Sequence, residues 1–184
     1  AVPVDQLKQI LLYHVISGAA VMSSSVKAGP VDSAADLTFF IGTSGGVTIN
    51  GGNSVKGGAN VTSTDITASN GVIPVIDRVI LPPDIPTAAG YGGLNELVKA
   101  VVAAADIAPG TSVLKALQGK GPFTVFAPTD DAFKAITVPS DTAVLRDVLL
   151  YHVVGSSVPS SAIPAKADSL LKNKWGNGVT MLFN

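Results

Sequence analysis

The residues best suited to chemistry in this sequence are its two histidines, His14 and His152, each of which follows a tyrosine. The chain has no cysteine, and no other histidine lies at metal-ligand spacing from either one. No serine stands in the Gly-x-Ser-x-Gly motif of many hydrolases. We therefore predict that the protein is not an enzyme and carries no metal or cofactor. A Ser-Lys or paired-acid site is the catalytic alternative that these observations leave open.

The two Tyr-His pairs are instead predicted to be structural or interaction motifs. Tyr13 and Tyr151 would bury their rings, while His14 and His152 would each hydrogen-bond a nearby chain segment and so join a helix to a strand. The aliphatic residues on both sides of each pair are expected to be core. The alternative is that the pairs lie on a surface that contacts a partner.

The composition describes a weakly charged globular protein. Apolar residues make up 47% and charged residues 14%, with 12 Lys and Arg against 13 Asp and Glu. This balance argues against nucleic-acid binding, which needs a basic face, and gives no polybasic membrane patch. The absence of cysteine excludes disulfides, iron–sulfur clusters and thiol catalysis.

An internal repeat indicates the domain organisation. Residues 11–16 (LLYHVI) recur as residues 149–154 (LLYHVV), an offset of 138 residues, which is the size of a whole domain. The context repeats as well: Leu7-Lys8 as Leu145-Arg146, and Gly46-Val47-Thr48 as Gly178-Val179-Thr180. We predict that residues 1–83 are the C-terminal part of a first domain, 84–93 a Pro/Gly-rich linker, and 94–184 the N-terminal part of a second. Both domains are expected to be incomplete within these 184 residues.

Hydrophobic spacing and turn residues predict an α+β fold of small helices and short strands. Helices are expected over 5–13 and 94–102, after Thr111 or Ser112, and after Thr129. Strands are expected over 37–41, 47–49, 72–81 and 123–127.

Three motifs in this sequence resemble those of the fasciclin-type domain family. Residues 123–133 (FTVFAPTDDAF) are similar to its first signature, residues 149–154 and 11–16 to its central Tyr-His motif, and residues 70–83 (NGVIPVIDRVILPP) to its closing signature. The resemblance implies tandem α+β domains, each with a seven-stranded β-wedge and a helical side. Pro74 departs from the family, which often has His there, and a proline predicts a strand edge or bulge.

The resemblance implies a non-enzymatic adhesion or protein-interaction module that binds another protein, or a cell-surface or matrix component, outside the cytosol. Secretion or the cell surface is the first expectation for its location, with an organelle lumen (the thylakoid) or the periplasm as the alternative. Two other roles stay open: an accessory subunit docked on a larger assembly, such as a membrane-bound or photosynthetic one, or a carrier of an apolar molecule such as a carotenoid. Asn60-Val61-Thr62 is a possible glycosylation site if the protein is secreted.

Overall fold

The chain divides into two compact units, unit 1 (Ala1–Pro83) and unit 2 (Asp84–Asn184). The computed structural model describes residues 2–105, 112–172 and 176–183. Both units combine helices with antiparallel sheets, which confirms the predicted α+β class.

Unit 1 is one helix followed by a five-stranded antiparallel meander, in the order β1-β2-β3-β4-β5. Its elements are α1 (Val4–Tyr13), β1 (Gly29–Asp32), β2 (Thr38–Gly42), β3 (Thr48–Ile49), β4 (Ala59–Ala68) and β5 (Gly71–Ile76). The predicted helix over 5–13 is confirmed, and the strands predicted over 37–41 and 47–49 form a hairpin in which Ile41 of β2 pairs with Ile49 of β3. The core of unit 1 gathers around Tyr13, Phe39 and Ile80.

The strand predicted over 72–81 is shorter than expected. β5 ends at Ile76, and the backbone N–H of Ile80 donates to the ring of His14 (3.1 Å) instead of to a neighbouring strand. The strand ends directly before Asp77 and Arg78, the two charged residues that interrupt the otherwise apolar run.

Pro74 lies in β5, at the edge of the five-stranded sheet. The pairing shifts register around it: Ser63 faces Val75 and Ile66 faces Ile73, so two residues of β4 stand opposite one residue of β5. This bulge at an edge accommodates a residue without an N–H group, as the sequence predicted.

Unit 2 places its helices before and around a four-stranded antiparallel sheet, in the order β6-β7-β8-β9. Its elements are α2 (Ile85–Tyr91), α3 (Asn95–Ala103), α4 (Val113–Leu117), β6 (Thr124–Val125), α5 (Asp130–Lys134), α6 (Thr142–Tyr151), β7 (Val153–Val154), a 3-10 turn (Ser160–Ala162), β8 (Lys166–Lys172) and β9 (Gly178–Leu182). Its core lies between α3, α4 and α6, with Leu97, Val101, Val113, Leu145 and Leu149 buried.

Side-chain caps begin several helices of unit 2. The Ser112 hydroxyl accepts from the backbone N–H of Lys115 (3.3 Å), and the Thr129 hydroxyl accepts from that of Ala132 (3.2 Å). Both caps were predicted; Thr111, the alternative to Ser112, lies outside the described residues.

Residues 84–93, predicted to be a linker, belong to unit 2 and contain a helix. Asp84 caps α2 by accepting from the backbone N–H of Thr87 (3.0 Å), and Pro86 stands in the first turn, where a missing N–H costs nothing. Ile85 and Ala89, four residues apart on one helix face, pack against the core of unit 2. The Pro/Gly content therefore marks a capped helix here and not a flexible connection.

Candidate functional site

The Tyr13-His14 pair joins the end of α1 to distant parts of unit 1. His14 Nδ1 lies 2.7 Å from the carbonyl oxygen of Ile10, which can only accept, so Nδ1 carries the hydrogen. His14 Nε2 accepts from the backbone N–H of Ile80, 66 residues further along the chain. The imidazole thus connects the last turn of the helix to the segment that follows β5.

Tyr13 is fully buried and takes part in a hydrogen-bonded cluster. Its hydroxyl donates to the carbonyl of Thr38 (3.3 Å) and accepts from Asn50 Nδ2 (3.3 Å), and its ring meets Phe39 edge-on at 5.9 Å. Burial raises the pKa of the Tyr13 phenol above its usual 10.0, against the opposing effect of the hydrogen bond from Asn50.

Asn50 is the residue of this cluster that sequence reasoning missed. It is fully buried, its Oδ1 accepts from the backbone N–H of Phe40 (2.9 Å), and its backbone is left-handed with φ of 55°. The Asn50-Gly51 dipeptide, a strong turn signal, is the pattern that would have located it.

The Tyr151-His152 pair of unit 2 has fewer contacts. His152 Nδ1 lies 2.7 Å from the carbonyl of Val148, matching the local bond of His14. Tyr151 is exposed, and its ring meets that of His152 edge-on at 6.4 Å. Both histidines make the same bond to a carbonyl four residues earlier. Among the described residues, only the His14 ring also accepts a long-range hydrogen bond.

An open cavity of about 620 Å³ lies in unit 1, between the chain after α1 and the inner face of the meander. Aliphatic side chains dominate its lining, among them Val15, Ile16, Ile41, Ile49, Val61 and Ile76. His14 and Ser23 bring polar groups to its wall. The backbone N–H and the hydroxyl of Ser23 both donate to Asp65 Oδ2 (2.8 and 3.0 Å), which fixes the loop that forms one side of the cavity.

The prediction that the aliphatic neighbours of both pairs are core is wrong for Leu11 and Val15, although Ile16 does pack against the core of unit 1. Leu149 and Val153 are buried in unit 2, whereas their counterparts Leu11 and Val15 are exposed. The residue types and spacing are the same, so the difference comes from what packs against each helix. Among the described residues, nothing in unit 1 stands where α3 and α4 stand in unit 2.

Asn60, the possible glycosylation site, lies in β4 and not in a loop. Its backbone N–H donates to Asp77 Oδ1 (2.8 Å), and its side-chain oxygen accepts from the backbone N–H of Asn53 (3.2 Å). Neither contact uses the side-chain amide nitrogen, which is the atom that a glycan would modify. The bond from Asn60 is the main cause that lowers the pKa of Asp77 below its usual 3.8.

Within the described ranges, three or more metal-ligating side chains nowhere come together. Nor does any helix there have the length and apolar character to cross a bilayer.

Comparison with known proteins identifies the family. A model of the fasciclin domain matches residues 3–82, inside unit 1, and residues 95–181, inside unit 2. Protein sll1483 of Synechocystis sp. is 46% identical over 81 residues, which is 43% of this chain and 40% of that protein. Human periostin is 25% identical over 146 residues (79% and 16%), and pig transforming growth factor-beta-induced protein ig-h3 is 32% identical over 115 residues (58% and 16%).

The chain thus spans 40% or less of the length of these relatives. The two matched segments together cover most of its 184 residues, and each contains one Tyr-His pair at the end of a helix. The chain belongs to the fasciclin domain family.

Proposed function

We propose that this chain is a non-enzymatic adhesion or protein-interaction module that acts outside the cytosol by contact with another protein or with a cell-surface or matrix component. Fasciclin domains are adhesion or protein-interaction modules, which supports this role at the level of the family. For this chain itself, the class of partner, the compartment and the contact surface are what we propose.

The observation that carries the proposal is the exposed apolar surface of unit 1. Leu7 and Leu11 lie exposed on α1, and Val15, two residues after the helix, is exposed and also lines the cavity. Exposed apolar residues next to an apolar cavity are typical of sites that bind other molecules. The low charge of the chain fits the same mechanism, since a complex held by apolar contact needs little electrostatic attraction.

The absence of catalysis is part of the proposal. His14 and His152 lie in different units, and each uses Nδ1 for a backbone carbonyl within its own helix. Nucleophile, base and orienting group must converge for most acyl and glycosyl transfers. Incubation with ester, glycoside and phosphoester panels should give no turnover that survives repurification. Turnover that disappears when one Ser or Asp is changed would contradict this.

Binding of the immobilised chain to matrix and cell-surface proteins, across a salt series, tests the mechanism. Chemical crosslinking in the source cells first identifies the partner, and affinity is then measured with the purified pair. We expect the affinity to change little between low and moderate salt, because exposed charges contribute little to the contact. A tenfold or greater loss over that range would show that charge holds the complex and would overturn the apolar mechanism.

Localisation tests the compartment. The tagged protein in its source cells should be found outside the cytosol, and a cytosolic location would contradict the proposal. Sugar on Asn60, detected by mass spectrometry, would add evidence of passage through a secretory pathway, since the sequon is modified only there.

A second candidate function is favoured by the cavity of unit 1. Its volume of about 620 Å³ and its aliphatic lining suit an apolar small molecule of the size that protein pockets commonly bind. Protein purified from the source should then release such a molecule into organic solvent, and a carotenoid would give a visible absorption spectrum. A clean extract and a colourless protein would remove this candidate.

A further inference from the structure

The chain contains three Asn-Gly dipeptides, and the fold places them in three different environments. They begin at Asn50, Asn70 and Asn177. An asparagine followed by glycine can lose ammonia without an enzyme, because glycine has no side chain to obstruct attack by its own main-chain nitrogen and its backbone bends most freely. The rate at each site then depends on the exposure of the amide, on its hydrogen bonds and on how easily the local backbone opens.

Asn70 lies in the turn of the β4–β5 hairpin. Ser69 and Asn70 are the two residues that connect Ala68 of β4 to Gly71 of β5, and both are exposed. Among the described residues, none is recorded as a hydrogen-bond partner of the Asn70 side chain. A Cβ placed on Gly71 would meet nothing within 4 Å, so open space adjoins the residue whose nitrogen must attack.

The end of this hairpin is weakly held. β3 pairs only with the first two residues of β4, and a register shift before Ile66 separates the last three pairs of β4 and β5 from the others. Residues 66–70 are all exposed. Opening the terminal pair of Ala68 with Gly71 therefore exposes little further apolar surface, and the main-chain nitrogen of Gly71 becomes available at a small free-energy cost.

Asn50 is in the opposite situation. It is fully buried, its Oδ1 accepts from the backbone N–H of Phe40 (2.9 Å), and its Nδ2 donates to the hydroxyl of Tyr13 (3.3 Å) and to the carbonyl of Gly57 (3.4 Å). Loss of ammonia from Asn50 would break each of these bonds inside the core of unit 1. The fold therefore protects this amide.

Asn177 is intermediate. It is exposed, but it has an interaction partner. A Cβ on Gly178 would lie 2.8 Å from the Cβ of Asp168 and 2.8 Å from the carbonyl oxygen of Ser169, so this glycine is closely packed where Gly71 is not. We expect the nitrogen of Gly178 to have less freedom to approach its asparagine.

We propose that Asn70 is a site of spontaneous covalent modification, where the exposed hairpin turn converts to aspartate and isoaspartate. The main-chain nitrogen of Gly71 attacks Cγ of Asn70. The N–Cγ bond forms, the Cγ–NH2 bond breaks, and ammonia leaves with the proton of the Gly71 N–H, which closes a succinimide ring. Water then opens the ring at Cγ to give aspartate, or at the main-chain carbonyl to give isoaspartate. Water is the only other reactant.

Both products change the hairpin end. Each replaces a neutral amide by a carboxylate and so adds one negative charge to a chain whose formal net charge is −1. Isoaspartate also lengthens the main chain of the turn by one carbon, so Ala68 and Gly71 lose the spacing that sets their pairing. The tip of the hairpin should therefore loosen as the protein ages. This inference goes beyond the proposed function and does not depend on it.

The test ages the intact, folded chain in mildly alkaline buffer and digests samples at acidic pH, where the reaction is slow. Mass spectrometry detects the replacement of the amide nitrogen by oxygen, and electron-transfer fragmentation distinguishes isoaspartate from aspartate. We expect product at residue 70 to form at least about tenfold faster than at residue 50, with residue 177 between them. In the urea-unfolded chain the three sites should react at similar rates, because each is followed by glycine.

Gly71→Ala is the informative variant, because a Cβ fits there and the φ of Gly71 lies outside the left-handed region. It should slow the reaction at residue 70 several-fold by obstructing the attacking nitrogen. Ser69→Ala, which changes the other turn residue but keeps Asn-Gly, is the matched control and should react like the parent. Circular dichroism confirms that both variants fold.

Hydrogen exchange checks the consequence for the hairpin. Exchange in residues 66–73 should be faster in the aged chain than in the fresh one, and Asn70→Asp, which adds the charge without lengthening the main chain, should resemble the fresh chain.

Three results would overturn the proposal. The first is no product at residue 70 over a period in which the unfolded chain reacts, and the second is equal rates at residues 50 and 70 in the folded chain. The third is the same order of rates after unfolding, which would assign the difference to neighbouring residues and not to the fold.

Discussion

Helices α1 and α6 carry nearly the same apolar residues, yet one face is open and the other is core. Leu149 packs within α3, α4 and α6, while Leu11, at the equivalent position, meets no covering helix among the described residues of unit 1. The comparison teaches that an amphipathic pattern specifies which side of a helix is to be covered, while the neighbouring elements decide whether it is. Equivalent substitutions in the two units can therefore be compared directly.

The largest difference should appear between Leu149→Ala and Leu11→Ala. The first removes a buried side chain from a packed core and should lower the free energy of unfolding of unit 2 by about 2–5 kcal/mol. The second trims an exposed side chain and should change the stability of unit 1 by no more than about 0.5 kcal/mol. Chemical denaturation followed by hydrogen exchange assigns each change to its unit. Equal losses would mean that α1 is covered in solution.

The next largest effect is expected from Asn50→Ala. The substitution removes a hydrogen-bond partner from the backbone N–H of Phe40 and from the hydroxyl of Tyr13, and each unsatisfied group should lower the free energy of unfolding by roughly 1–3 kcal/mol. It also places alanine in a left-handed conformation, at φ of 55°, without the side-chain hydrogen bond that holds asparagine there. Asn50→Gly keeps the backbone relaxed and isolates the hydrogen bonds. A neutral Asn50→Gly would show that the cluster contributes nothing.

His14→Ala should cost more than His152→Ala. Removing His14 leaves the N–H of the buried Ile80 unpaired, at a cost of roughly 1–3 kcal/mol, whereas the recorded bond of His152 lies within its own helix. Thermal unfolding of the two variants measures the difference. If both variants melt alike, the bond to Ile80 does not stabilise unit 1, and if His14→Ala melts like the parent but loses a partner, the residue is a contact.

The smallest effect is an alkaline loss of stability confined to unit 1. Because burial raises the pKa of Tyr13, the folded protein holds the phenol proton more tightly than the unfolded chain does. The resulting stabilisation is fully present below pH 10.0 and is lost as the pH rises through the folded-state pKa. Urea unfolding at increasing pH measures it, and Tyr13→Phe should remove the pH dependence. The same alkaline slope in the Phe variant would assign it to another group.

Much of the local structure could be predicted from the sequence, because helix periodicity and helix caps depend only on residues a few positions apart. The helix over residues 5–13, the caps at Ser112 and Thr129, and the edge position of Pro74 follow from patterns a few residues long. β4 was not predicted, because its Ser, Thr and Asp residues resemble a loop. It forms through pairs such as Val61 with Ile76 and Ile66 with Ile73, which no local pattern reveals.

The candidate site was predictable only in part. The repeat located both Tyr-His pairs, and the local bond from each histidine to the carbonyl four residues earlier follows from its place at a helix end. The bonds from Asn50 to Tyr13 and from Ile80 to His14 join residues 37 and 66 positions apart, too far for a local sequence pattern to predict the pairing. The exposure of Leu11 and Val15 depends on what packs against α1, which the residue pattern of α1 itself does not reveal.

Pro74 has a consequence for how the protein behaves when it is crowded or newly made. Residues 72–76 (VIPVI) would, without the proline, be a short, uncharged, β-branched segment of the kind that stacks into amyloid fibrils, and Ile73 beside it is exposed on the sheet edge. Pro74 cannot donate to an added strand, and the bulge opposite it bends the edge. It therefore acts as a gatekeeper against fibril growth at one edge of the meander.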